Sequence, residues 1–242
     1  MNKKLRDIQG IIFDYGGTID TNSRHWSEVL WEAYEAFGIP VSKADFREAY
    51  VYGERTLARE PLVKPEHDFH DVLRIKTRLQ IDYLTGAGKL SPREADARHY
   101  ASDIADSCYR YVLKVLERTR PVVRTLSDRY RLVLVSNFYG NIQTILKDFS
   151  LSAFFSDVIE SSVVGVRKPD PAIYRLGVEA MGFPADKILV VGDSFSKDVI
   201  PAKKVGCKVA WLKGAGWGDE VADDSLPELV ITDLPDLLTY LL

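Results

Sequence analysis

Three short apolar runs, rich in β-branched residues and nearly free of charge, stand out along the chain at residues 8–13, 132–135 and 188–191. Strands that are buried on both faces of a sheet have this pattern. Apolar residues recur at helical spacing in the segments that follow the second and third runs. Because strands and helices alternate, the sequence predicts an α/β fold whose parallel sheet is built from βαβ units.

The segment that follows the first predicted strand has a different pattern, because strand-like runs are almost absent up to about residue 117. Apolar residues such as Trp26 and Leu30 recur there at helical spacing, which is typical of amphipathic helices. The sequence therefore predicts an all-helical block inserted after the first strand. The predicted domains are a core of residues 1–18 and 118–242 and a helical cap of residues 19–117.

The composition is that of a globular protein, with 46% hydrophobic and 28% charged residues. A net charge of −3 gives no basic excess, so nucleic acid is not an expected partner. No apolar run approaches the roughly 18 residues of a membrane span, and the N-terminal run is too short for a signal peptide. Cys108 and Cys207 are the two cysteines, too few for a disulfide framework. We therefore expect a soluble cytoplasmic protein, and the sequence favours no oligomeric state.

Two candidate chemical motifs end the first two predicted strands. Asp14 follows the first strand, and Gly16 and Gly17 allow the backbone to turn tightly and approach a ligand. Ser136 and Asn137 end the second strand, where a hydroxyl and an amide can hold phosphate oxygens. A structural turn and a helix N-cap are the ordinary alternatives. Ligands of open α/β sheets bind beyond the carboxyl ends of the strands, so both motifs lie where a site is expected.

Two further motifs lie at the same predicted edge of the sheet. Lys168 precedes a proline that favours an extended conformation, and its ammonium could neutralise charge on a phosphoryl group. Asp193 and Asp198 follow the third strand, where either could instead serve a helix N-terminus. With Asp14 they would bring three carboxylates to one point. Because like charges repel, this arrangement predicts a bound cation, Mg²⁺.

The segments FDYGGT, VSN, GVRKPDPAIY and VGDSFSKD resemble, in order and spacing, the motifs of the haloacid dehalogenase (HAD) superfamily, in particular members with a helical (C1-type) cap. The resemblance spans the whole chain. It implies a Rossmann-like, doubly wound core with a helical cap, and a Mg²⁺-dependent phosphatase that acts through an aspartyl-phosphate. The implied roles are nucleophile for Asp14, phosphate binding for Ser136, Asn137, Lys168 and Thr18, and metal binding for Asp14, the backbone carbonyl of Gly16 and Asp193, with Asp198 in support.

One position departs from the family pattern. The family's phosphatases usually carry a second Asp two residues after the nucleophile, which protonates the leaving group and then activates water. This chain has Gly16 there, which keeps the backbone carbonyl but has no acid–base group. Such a group typically raises the reaction rate by ~10²–10⁴-fold. Asp20 and His25, near the start of the cap, are the candidate substitutes. Alternatively, the substrate has a good leaving group, such as an acyl phosphate.

Three functions remain open at this point. An active phosphatase for a small phosphorylated metabolite agrees with all the predicted phosphate and metal residues. A different HAD reaction is the second: Asp193 and Asp198 argue against a dehalogenase, whereas a phosphonatase fits Gly16 but needs a cap lysine, for which Lys64 is the nearest candidate. A non-catalytic phospholigand-binding protein is the third, suggested by the missing acid.

Overall fold

The computed structural model describes residues 5–91, 97–215 and 222–242. Its centre is a six-stranded sheet in which all the paired neighbours run parallel, in the order β3-β2-β1-β4-β5-β6. The strands are β1 Gly10–Phe13, β2 Arg131–Ser136, β3 Asp157–Glu160, β4 Ile188–Gly192, β5 Lys208–Leu212 and β6 Leu229–Ile231. The predicted α/β class, a doubly wound Rossmann-like sheet, is confirmed.

Helices cover both faces of the sheet, and this explains the uniformly apolar strands. Ile11 and Phe13 of β1 belong to the apolar cluster on one face, and Ile12 belongs to the cluster on the other face. All four residues of β1 are buried. The helices are α1 Trp26–Ala36, α2 Lys43–Arg59, α3 Phe69–Gly86, α4 Ala97–Ser127, α5 Ile142–Asp148, α6 Ser161–Val164, α7 Ala172–Met181, α8 Ile200–Val205 and α9 Leu237–Leu241.

The insertion between β1 and β2 contains α1 to α4, as the helical spacing predicts. Polar caps fix where two of these helices begin: Ser42 accepts a hydrogen bond from the backbone of Asp45, and Asp68 forms a reciprocal capping box with Asp71. Within the described part of the chain, the helices are either too short or too polar to cross a membrane.

The helix α4 runs without interruption through residues 117 and 118, where the sequence places the end of the cap. Apolar residues keep their helical spacing there, with Leu116, Val123 and Leu126 all buried. The helix α4 packs on α1 and α3, and it also contacts β2 of the sheet. One helix thus serves both parts of the molecule, and the domain limits stay a prediction.

Candidate active site

The carboxyl ends of β1, β2 and β4 bring Asp14, Ser136 and Asp193 together at one edge of the sheet. In the register of the sheet, Phe13 of β1 pairs with Leu134 on one side and Val191 on the other. Asp14 therefore lies between the end of β2 and the end of β4. The Ser136 hydroxyl donates a hydrogen bond to Asp14 Oδ1 at 2.9 Å, and both residues are buried.

A buried lysine links two carboxylates of this edge. Lys168 Nζ lies 2.8 Å from Asp14 Oδ1 and 2.6 Å from Asp198 Oδ1, and the lysine side chain is only 2% exposed. Burial alone would lower the pKa of Lys168, but the two carboxylates raise it above its ordinary value. Lys168 is therefore a permanent positive charge at the centre of the site.

A third carboxylate, Asp193, lies close to the two that contact the Lys168 ammonium. Ligand oxygens of Asp14, Asp193 and Asp198 all lie within 4.8 Å of one another. Burial raises the pKa of Asp14, as does Asp198, against the opposing effect of Lys168. Burial, Asp198 and Asp14 together raise the pKa of Asp193 well above its ordinary value. One ammonium cannot balance three carboxylates, and a cluster of hard oxygen donors fits a cation such as Mg²⁺.

The two carboxylates that follow β4 have different surroundings. Asp198 is fully enclosed: Tyr174 donates to its Oδ1 at 2.7 Å, and the Ser194 backbone N–H donates to its Oδ2 at 2.9 Å. Asp193 is partly exposed, and Thr18 Oγ1 lies 3.4 Å from its Oδ1. The geometry therefore suits Asp193 to contact a ligand and Asp198 to hold its neighbours in place.

Asn137 contacts the backbone of Lys168 rather than a side chain. Its Nδ2 donates to the Lys168 carbonyl at 3.1 Å, and its Oδ1 accepts from the Lys168 N–H at 2.8 Å. The predicted phosphate residues Ser136 and Lys168 meet at Asp14, whereas the amide of Asn137 is used to join the loop after β2 to the loop before α7.

The two glycines after Asp14 meet different surroundings. Gly17 has a φ of +89°, and a Cβ there would overlap the Asp193 carboxylate. Gly16 has open space around its Cβ position to at least 4 Å. Position 17 therefore needs a glycine, because of its backbone conformation and because Asp193 lies so close. Position 16 has room for a side chain.

Asp20 and His25, the candidate substitutes for the missing acid, differ in their contacts. Asp20 is fully buried; its Oδ1 accepts from the Gly17 N–H at 2.7 Å and its Oδ2 from the Trp26 indole at 2.9 Å. Burial raises the pKa of Asp20 to about 7. Asp20 therefore links the loop after β1 to α1 through hydrogen bonds.

His25 is the N-cap residue of α1, and its ring lines the cavity above Asp14. Its Nδ1 lies 2.7 Å from Ser27 Oγ and accepts from the Ser27 N–H at 3.2 Å. Burial and the nearby Lys197 lower the pKa of His25, so the imidazole is neutral at neutral pH. Both candidates line the cavity; both carboxylate oxygens of Asp20 accept hydrogen bonds from the loop and from α1, whereas Nδ1 of His25 caps α1.

The cavity above Asp14 has a volume of about 820 Å³ and is lined by both the core and the cap. The sequence interpretation did not include three polar residues of its wall: Glu54 of α2, Lys76 of α3 and Tyr139 of the loop after β2. The signal for Lys76 was present, because this lysine follows Val72 and Leu73 at helical spacing on the buried side of α3. Lys64, the lysine that the sequence suggested, is exposed and lies outside the cavity lining.

A family model described as haloacid dehalogenase-like hydrolase matches residues 8–206 of this chain. The 5-amino-6-(5-phospho-D-ribitylamino)uracil phosphatase YigB of Escherichia coli (strain K12) is 31% identical over 175 residues, which cover 72% of this chain and 71% of YigB. The glyceraldehyde 3-phosphate phosphatase of Pyrococcus furiosus is 28% identical over 98% of this chain and 94% of its own length.

A solved structure extends the likeness to the fold. The HAD-hydrolase YfnB of Bacillus subtilis, crystallised bound to magnesium, superimposes with a TM-score of 0.60 at 20% identity, over 97% of this chain and 98% of YfnB. At that identity the likeness shows a shared fold, and the chemistry has to be argued from the residues of this chain.

Proposed function

Because this chain belongs to the haloacid dehalogenase-like hydrolases, we propose that it is a phosphatase that transfers the phosphoryl group of a small phosphorylated metabolite to Asp14 and then to water. One observation carries the proposal: a buried carboxylate, Asp14, is in direct contact with both a hydroxyl donor and a permanent ammonium. Two similar proteins, YigB and the Pyrococcus enzyme, are phosphatases by name.

The reaction follows from what surrounds Asp14. Its carboxylate attacks phosphorus, an oxygen–phosphorus bond forms, and the bond from phosphorus to the leaving group breaks. The Ser136 hydroxyl and the Lys168 ammonium, both already at Asp14, bind the phosphoryl oxygens and stabilise the charge that develops on them. Water then attacks the aspartyl-phosphate, releases inorganic phosphate and restores the carboxylate.

The residues present fit a divalent cation. Asp14, Asp193 and the backbone carbonyl of Gly16 would hold it, and Asp198 would orient the group through its contacts with Lys168 and Ser194. When bound, Mg²⁺ supplies positive charge that screens the carboxylates and the phosphoryl oxygens from each other. Hard oxygen donors of this kind favour Mg²⁺ over softer metals.

Proton transfer needs a group other than Gly16. We assign it to His25, which lines the cavity and is neutral at neutral pH, so that it can accept the proton of the attacking water. A neutral imidazole is a poor acid, so the first step favours leaving groups that need little protonation, such as a carboxylate released from an acyl phosphate. We assign Asp20 a structural role, because its two carboxylate oxygens accept hydrogen bonds from Gly17 and Trp26.

The other HAD reactions are less well supported by the site. A phosphonatase would need a neutral cap amine to form a Schiff base. The cap lysine in the cavity is Lys76, and Glu54, 2.7 Å from its ammonium, keeps it protonated. The cluster of Asp14, Asp193 and Asp198 suits a reaction that uses a metal ion, and this argues against a dehalogenase.

The decisive experiment compares the wild type with Asp14→Asn in the hydrolysis of acetyl phosphate and p-nitrophenyl phosphate, with and without Mg²⁺. We expect turnover that needs the metal and falls by at least about 10³-fold in the variant, because the nucleophile is lost. Asp186 is exposed on the predicted core domain, so Asp186→Asn is the matched control and should retain full activity. Comparable turnover in Asp14→Asn would exclude the nucleophile. No turnover by the wild type, together with stabilisation by phosphate alone, would favour a phospholigand-binding protein.

A further inference from the structure

The peptide bond between Asp193 and Ser194 is held from both sides. Its carbonyl, which belongs to Asp193, accepts a hydrogen bond of 2.8 Å from the indole Nε1 of Trp211 in β5. Its N–H, which belongs to Ser194, donates to Asp198 Oδ2 at 2.9 Å. Because the carbonyl and the N–H of a trans peptide point in opposite directions, the indole and the carboxylate together fix the plane of this one peptide.

The sheet itself places Trp211 at this peptide. The parallel pairing of β4 and β5 sets Trp211 beside Gly192, the last residue of β4. Asp193 is the next residue along the chain, so the indole reaches its carbonyl from the neighbouring strand. The Trp211 ring is buried, and its centre lies 5.2 Å from that of Phe195. One side chain of β5 therefore contacts both ends of the turn formed by residues 193–195.

The position of this peptide matters for the carboxylate of Asp193. The Cα of Asp193 forms one end of the peptide, and its side chain reaches from there towards the oxygens of Asp14 and Asp198, within 4.8 Å of both. Mg²⁺ requires nearly ideal octahedral geometry, so a ligand that is free to shift weakens its binding. A fixed peptide therefore favours a carboxylate that is already in place before the cation arrives.

The same hydrogen bonds form a chain from Trp211 to Lys168. The indole donates to the peptide, the peptide donates to one oxygen of Asp198, and the other oxygen of Asp198 lies 2.6 Å from Lys168 Nζ. A donor at the carbonyl of a peptide polarises it and strengthens the hydrogen bond that its N–H makes. Trp211 thus acts on two carboxylates of the cluster, Asp193 and Asp198, through a single peptide.

We propose that Trp211 is a positioning residue for the metal site: its indole N–H holds the peptide between Asp193 and Ser194 so that the Asp193 carboxylate meets a divalent cation beside Asp14. The inference rests on the proposed function, because it takes Asp193 to be a ligand of Mg²⁺. The indole N–H then determines the affinity for Mg²⁺ without touching the cation.

The test measures Mg²⁺ binding directly by isothermal titration calorimetry, so that it does not depend on turnover. Trp211→Phe keeps an aromatic ring beside Phe195 but removes the donor. We expect its dissociation constant for Mg²⁺ to rise about tenfold or more, the usual effect of removing a group that orients a metal ligand. Trp31→Phe, at a ring that packs on Phe46 of α2, is the matched control and should bind Mg²⁺ as the wild type does.

Kinetics distinguish a positioning role from a loss of packing. In Trp211→Phe we expect the Mg²⁺ concentration for half-maximal hydrolysis of acetyl phosphate to rise by the same factor as the dissociation constant. We expect kcat at saturating Mg²⁺ to stay within about threefold of the wild type, because the bound cation restores the position of the Asp193 carboxylate. A lower unfolding temperature with an unchanged dissociation constant for Mg²⁺ would show a role in packing alone and would overturn the proposal.

A second measurement needs no change at Trp211 and decides if Trp211→Phe does not fold. In NMR spectra of protein labelled at the indole nitrogens, each of the four tryptophans gives one N–H signal, and phenylalanine variants of the other three identify that of Trp211. We expect Mg²⁺ to shift the Trp211 signal in the wild type but not in Asp193→Asn. A Trp211 signal that stays in place at saturating Mg²⁺ would overturn the proposal. If the wild type binds no Mg²⁺, the metal site of the proposed function fails, and the role of Trp211 fails with it.

Discussion

Asn137 holds both backbone polar groups of Lys168, donating to its carbonyl at 3.1 Å and accepting from its N–H at 2.8 Å. The two residues come from different connections of the sheet. These two hydrogen bonds hold the backbone of Lys168 in place, and from there its ammonium reaches Asp14 and Asp198. The amide is thus a positioning group, and its effect on catalysis is expected to pass through the lysine.

Replacing this amide should affect stability and rate together. Asn137→Ala leaves two backbone groups without their partner, which costs about 1–3 kcal/mol of the free energy of unfolding. It also releases Lys168, so we expect kcat for p-nitrophenyl phosphate to fall about tenfold or more. Urea unfolding and steady-state kinetics measure the two effects. Asn137→Asp keeps the acceptor and should lie between; a normal kcat in Asn137→Ala would contradict the positioning role.

The adjacent glycines offer a matched pair of substitutions. Gly17→Ala forces a side chain into a left-handed backbone at φ +89° and against the Asp193 carboxylate, whereas the space at Gly16 is open. We expect Gly17→Ala to lose at least about 1–2 kcal/mol of stability and most of its response to Mg²⁺. Gly16→Ala should be nearly neutral. Thermal unfolding with and without Mg²⁺ measures both, and equal behaviour of the two variants would refute the close approach.

An acidic side chain introduced at Gly16 tests how the lack of an acid at this position affects the rate. No atom lies within 4 Å of a Cβ at Gly16, and Gly16 lines the cavity beside Asp14. We expect Gly16→Asp to raise kcat for glycerol 3-phosphate by up to about 10²–10⁴-fold, because an alkoxide leaving group needs a proton. Acetyl phosphate should change little. Gly16→Asn is the control, and an equal gain in both variants would show that the proton is not the cause.

The parts of the site that follow strand ends could be predicted from the sequence. Asp14, Ser136 and Asp193 are placed by the parallel sheet alone, and the resemblance to the HAD superfamily, now confirmed, follows from the spacing of their motifs. The helical spacing places Lys76 on the buried side of α3, but neither Lys76 nor Glu54 could be assigned to the cavity, because that depends on how α2 and α3 are oriented over the sheet. Helical periodicity marks one face of each helix as buried, but it does not tell packing against a neighbour from the lining of a cavity.

The pH dependence of stability should reveal Asp20. Burial raises its pKa from 3.8 to about 7, so the folded protein keeps a proton that the unfolded chain has already lost between these values. Stability from this group is therefore present at low pH and is lost as the pH rises towards 7, by up to about 1.4 kcal/mol per pH unit. Asp20→Asn should flatten the slope of unfolding free energy between pH 4.5 and 6.5. Asp186→Asn should retain the wild-type slope, and an identical slope in Asp20→Asn would refute the shifted titration.

The assignment of proton transfer to His25 predicts which step is impaired when the imidazole is removed. His25→Asn keeps a side-chain group that can cap α1 but loses the base that accepts the proton of water. We expect kcat for acetyl phosphate to fall about 10²-fold or more, because hydrolysis of the phosphorylated Asp14 becomes slow. A rapid first turnover should then precede the slow steady state, since phosphoryl transfer to Asp14 does not use the imidazole. Rapid-quench kinetics separate the two steps. If His25→Asn slows the first turnover as much as the steady state, the imidazole acts before the intermediate forms, and the second step must take its base from another group in the cavity.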